Sequence, residues 1–185
     1  MKLRTLAFIR DQPFWVELAL AAFVSVHFFL TVLNWIPNIG LGLINNADQG
    51  QVQALYLALL GPAAIVAGFA GVVVVFGLSA SSPRFEKFRA DAGPALPRTW
   101  VASTLSGFEA GAFCVLAAMF NVVGMPWISP SLFALALLVL SHGALRLIWV
   151  LSEMIRIVRA DDIVNTAAAN VYPMAKLPFR KRDAG

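Results

Sequence analysis

Four long apolar runs alternate with short polar connections along the chain: Phe14 to Ile36, Ala54 to Leu78, Thr99 to Val123, and Leu132 to Val150 with a continuation towards Arg159. A helix rises about 1.5 Å per residue and a bilayer's hydrocarbon core is roughly 30 Å thick, so about 20 apolar residues cross it. Every run is long enough. The pattern predicts an all-α integral membrane protein with four transmembrane helices, about 14–36, 54–78, 99–123 and 132–159. Their connections are short, so neighbours should run antiparallel in a single bundle. Residues 160–185 hold no spanning run and read as a basic cytoplasmic tail.

A few polar side chains interrupt the runs, and their spacing carries information. In SHGALRLIWVLSEMIR, Ser141 to Arg156, a turn of 100° per residue puts His142, Arg146, Trp149 and Glu153 in one stripe roughly 60° wide. Counted from the ends remote from the charged loop, His27 lies ~15 Å deep, His142 ~16 Å, Glu109 ~18 Å and Arg146 ~22 Å. His27, Glu109, His142 and Arg146 are thus predicted to meet in one buried polar cluster, with Thr31 and Asn34 extending the His27 face. An unpaired charge at such depth costs about 3 kcal/mol even on the lenient insertion scale, so Glu109 and Arg146 are expected to pair.

Composition agrees with this class. The 185 residues are 59% hydrophobic and 13% charged, with a mean hydropathy of +0.77, which suits a bilayer and not a soluble domain. Lys2, Arg4 and Arg10 precede the first run as in a secretory signal, but that run is too long and ends at Asn34-Trp35-Ile36-Pro37 without a small-x-small cleavage pattern. The first helix is expected to stay. Cys114 is the single cysteine, so a disulfide within the chain is excluded.

Charge sets the orientation. Of the fourteen Lys and Arg, all but Arg146 fall in the N-terminal dozen, the second loop or the C-terminal part, and none in loops one and three. That bias places both termini and the second loop in the cytoplasm and the chain in the cytoplasmic membrane. Trp15 and Trp100 fall at the same helix ends as the charges, Trp35 and Trp127 at the opposite ends, as interfacial belts do. The net charge of +4 then reflects topology and attraction to anionic lipid, with no nucleic-acid partner implied.

Loop two, SPRFEKFRADAG, offers Ser82 as a helix cap, Pro83 at the first helical position and Phe85 and Phe88 three apart, which fits either a short helix at the interface or a solvated charged loop. Arg84, Lys87 and Arg89, with Arg180, Lys181 and Arg182 of the tail, read as cations at the membrane surface. Small residues recur every three or four positions: Gly61, Ala64, Gly68 and Gly71 in the second run, Ser103, Gly107, Gly111, Cys114 and Ala118 in the third. Gly68, Gly71, Gly107 and Gly111 are therefore expected at close helix crossings, and Pro62 should bend the second helix.

Phosphate-binding GxxxxGK, CxxC, HExxH and GxSxG patterns are absent, so no soluble-type catalytic site and no metal site is expected. Three readings compete. The first is an interaction or accessory protein working through helix packing and its basic face, with the lipid bilayer, other membrane subunits or further copies of itself as partners. The second is an electron carrier holding haem b between His27 and His142, which equal depth would permit. The third is a proton- or substrate-path subunit using Glu109, His142 and Arg146. The interaction reading demands least of the sequence and leads.

Overall fold

A computed structural model of the chain describes residues 12–37, 40, 42, 47–93 and 95–170. Six helices are described: α1 (Pro13–Val32), α2 (Gln49–Ala58), α3 (Leu60–Ser79), α4 (Pro83–Ala92), α5 (Ala95–Val122) and α6 (Ser129–Asn170). Within them lie four spans long and apolar enough to cross a membrane: Pro13–Val32, Gln49–Ser79 across α2 and α3, Leu96–Val122 and Ser129–Thr166.

The boundaries depart from the apolar runs for local reasons. α1 stops at Val32 because Asn34 takes the left-handed conformation, φ 56°. The amides of Asn34 and Trp35 turn back to the carbonyls of Thr31 (3.1 Å) and Leu30 (3.0 Å), a Schellman cap. Asn34 has therefore left the helix and does not extend a His27 stripe. The second span is interrupted at Leu59, because Pro62 has no amide for the Ala58 carbonyl and its ring crowds that oxygen. α5 closes on Gly124 at φ 85°, with the Met125 amide on the Phe120 carbonyl at 2.9 Å. α6 does not stop at Arg159 but continues to Asn170, 42 residues in all, or about 63 Å. The first part of the expected tail is thus helical.

α4 forms as its signals predict: Ser82 Oγ accepts from the Phe85 amide at 3.2 Å, Pro83 opens the helix, and Gly93 at φ 49° follows it. Its apolar face, however, turns into the protein. Phe85 is buried among Val73, Leu96, Trp100, Val150 and Met154, with Phe88 against the same cluster. α4 thus closes one end of the bundle rather than floating in the interface.

α5 and α6 form the central pair. α3 packs along α5 and more lightly on α6, whereas α1 leans on α6 and barely reaches α5. Only Val24 and Thr31 of α1 are buried, and the apolar stretch of α1 is 6% buried against 33% for those of α5 and α6. The core is layered along the bundle: Val52, Tyr56, Ala117 and Ala118 at one end, Ala63, Ala110 and Leu140 in the middle, and the Phe85 and Trp100 cluster at the α4 end.

Close helix approach depends on glycines that only partly match the expected set. A Cβ on Gly107 would lie 2.8 Å from the Ala63 carbonyl oxygen, and one on Gly143 would collide with the Ser106 hydroxyl. Gly77 gives its space to the Trp100 ring, 2.8 Å from where a Cβ would stand. Gly111 makes ordinary contact with Leu60 at 3.6 Å, while Gly68 and Gly71 meet nothing within 4 Å. The reason is phase: the buried stripe of α3 runs Ala63, Ala67, Ala70, Val73, Gly77, and Gly68 and Gly71 each sit one residue, about 100°, past it.

Candidate functional site

Between the middle layer and the α4-end cluster lies a polar layer. On α5, Thr99, Ser103 and Ser106 are buried, and their hydroxyls work locally: Ser103 Oγ donates to the Thr99 carbonyl (2.9 Å) and Ser106 Oγ to the Ser103 carbonyl (2.9 Å). Facing them on α6 are His142 (8% exposed), Gly143 and Arg146 (7% exposed). The absent side chain of Gly143 lets α6 approach Ser106, and that approach brings Arg146 Nη2 to within 3.4 Å of the Thr99 carbonyl.

Arg146 is otherwise poorly met. Its Nε and Nη1 are buried without a hydrogen-bond partner, as are His142 Nε2 and Glu17 Oε1. Among the described residues no carboxylate lies within ion-pairing distance of the guanidinium. The expected Glu109–Arg146 pair therefore does not form. Glu109, half-buried on α5, is near enough to Glu17 for their charges to interact, and Glu17 is near enough to Arg146. His142 is also near enough to feel the Arg146 charge.

Glu17 is the member that depth counting from the far ends of the helices overlooks. It did leave a signal: Glu17, Val24 and Thr31 are seven apart, hence within about 20° of one another on each step, and they mark the face that α1 turns to α6. His27 lies about 60° from Val24 on that wheel and is exposed. It is not part of the buried cluster, and a haem held between His27 and His142 would need both imidazoles to face one cavity.

The remaining expected residues divide. Arg89 is engaged within the protein: its Nη1 donates to the carbonyls of Gly77 (2.9 Å) and Ala80 (2.6 Å), closing the C-terminus of α3. Arg84 joins α4 to the α6 extension through Asp161 at 3.5 Å. Lys87 is exposed, and Arg180, Lys181 and Arg182 lie outside the described residues. Trp15, Trp35 and Trp127 are exposed at helix ends, but Trp100 is 5% exposed and belongs to the core, not to a belt. Trp149 is exposed, and Glu153 pairs with Arg156 at 3.3 Å, so the inward stripe of α6 is His142, Arg146, Val150 and Met154. No group of His, Cys, Asp or Glu that could hold a metal ion occurs among the described residues.

No protein-family model, curated protein or solved structure matches this chain. What the site does must be read from its own geometry: a cation and an imidazole buried in a span, with open hydrogen-bonding valences, at the seam where the least buried helix meets the central pair.

Proposed function

We propose that the chain is an accessory or interaction subunit of a larger membrane assembly, working through helix packing and not through a reaction of its own. The carrying observation is Arg146, a buried arginine in a membrane span whose Nε and Nη1 find no acceptor among the described residues. Intramembrane charge is retained where it is met by a partner, and the seam beside loosely packed α1 is the side open to one. Outward faces rich in Phe, Leu and Val on α1 and α3 supply the apolar contact. In this reading both termini and α4 are cytoplasmic, neighbouring helices run antiparallel, the membrane is the cytoplasmic one, and the end of α6 with the basic tail forms an arm below it.

The test is protein mass. Isolated from its own cells in a mild detergent, the wild-type chain should travel with a protein mass above its own 20.0 kDa. The Glu17→Leu, Arg146→Leu double variant should travel alone. A wild type of one chain only would sink the proposal.

A second reading, a proton path, is favoured by one observation: Glu17 links Glu109 and Arg146 electrostatically, making a row of ionisable groups across three helices. In proteoliposomes an acid pulse should then leak faster through wild type than through Glu17→Gln. Equal leak removes this reading.

A further inference from the structure

Between α3 and α6, in the half of the bundle nearer α4, runs an apolar groove of about 520 Å³. Phe69, Val72, Phe76, Leu151, Ile155 and Val158 line its length, and Arg159 and Asp162 stand at its end. Both charged residues are exposed. Their neighbours on this stretch are engaged: Arg156 with Glu153 at 3.3 Å, and Asp161 with Arg84 at 3.5 Å. Arg159 and Asp162, one turn apart, form no ion pair with each other or with any described residue.

The groove fits one leaflet. From Ser129, the start of α6, to Arg159 is thirty residues, about 45 Å, which matches a bilayer's roughly 40–45 Å including headgroups. The two charges therefore stand at headgroup level. From Leu151 to Asp162 the helix climbs about 16 Å, close to half of the roughly 30 Å hydrocarbon core.

We propose that this groove is a lipid site that selects a zwitterionic phospholipid with a primary ammonium headgroup. One acyl chain lies along Phe69, Phe76 and Ile155, the phosphate meets the Arg159 guanidinium, and the ammonium donates to the Asp162 carboxylate. The juxtaposition of a cation and an anion, neither ion-paired among the described residues, is what selects the headgroup. A guanidinium suits phosphate, and a carboxylate accepts from N–H donors. A choline carries no N–H to give, and a glycerol headgroup brings only negative charge next to Asp162. The neighbouring groove between α3 and α5, about 420 Å³ along Gly71, Val74, Val101 and Leu105, is lined by no charged residue. It serves as the unselective comparison.

The full chain, in detergent micelles carrying equal amounts of phosphatidylethanolamine, phosphatidylcholine and phosphatidylglycerol with identical acyl chains, is read by native mass spectrometry. Wild type should retain phosphatidylethanolamine about fivefold over either competitor, the order expected of one charge-assisted hydrogen bond at a wet interface. Asp162→Asn should abolish the preference over phosphatidylcholine, Arg159→Gln should lower retention of all three, and Ile155→Trp, which fills the groove, should lower phosphatidylethanolamine most. Both charges are exposed, so these two variants keep the fold. Best retention of phosphatidylglycerol would mean attraction to the basic surface alone and would overturn the proposal. So would equal retention of all three, or a preference that survives Asp162→Asn.

Discussion

Gly143 of α6 stands directly against Ser106 of α5, so near that a single added methyl would fall on the serine hydroxyl. Ser106 is fully buried, its Oγ is committed to the Ser103 carbonyl at 2.9 Å, and its Cβ would also lie 2.8 Å from the added methyl, so turning the hydroxyl away costs that bond and does not relieve the contact.

Enlarging that position should therefore push the central helices apart. Gly143→Val is expected to cost about 1–3 kcal/mol by overpacking. Gly68→Ala, on an open face of α3, should be neutral or stabilise by up to about 1 kcal/mol, because alanine favours the helix. Denaturant titration in mixed micelles measures both; equal costs would mean that Gly143 is not at the crossing.

Arg89 should matter more than its position in a charged loop suggests. Arg89→Ala strands the carbonyls of Gly77 and Ala80 and is expected to cost about 1–3 kcal/mol. Arg84→Ala, removing a partly exposed pair to Asp161, should cost under about 1 kcal/mol. Hydrogen exchange localises the first effect: the end of α3 should lose protection in Arg89→Ala and keep it in Arg84→Ala.

Trp100 separates core from interface. Trp100→Ala should destabilise by about 3–5 kcal/mol, since its ring fills the space over Gly77 within the Phe85 cluster. Trp35→Ala, at 75% exposed, should change the fold's stability little. The same titration decides it, and comparable losses would return Trp100 to the surface.

The spans were legible because length and apolarity act on whole segments, and α4 because Ser82 and Pro83 act within its first turn. Facing was harder. Gly68 and Gly71 repeat at a helical interval that looks like a seam, but only the neighbouring alanine stripe meets α5, and a small-residue pattern does not reveal its phase. Trp100 sits where a belt residue would, and the difference is set by α4 folding beneath it, a contact between segments that periodicity does not encode. Glu109 and Arg146 suggested a pair by charge alone. Glu17, on the face of α1 that its heptad relation to Val24 and Thr31 marks, is the carboxylate whose charge Arg146 feels.

Arg146 is expected to be coupled energetically to Glu17 on the loosely held α1 and not directly to Glu109. Two double-mutant cycles measured in mixed micelles test it most directly, one for Glu17→Gln with Arg146→Gln and one for Glu109→Gln with Arg146→Gln. A coupling of at least about 0.5 kcal/mol is expected in the first cycle, and costs that add in the second. Additive costs for Glu17 and Arg146, with coupling between Glu109 and Arg146, would contradict it.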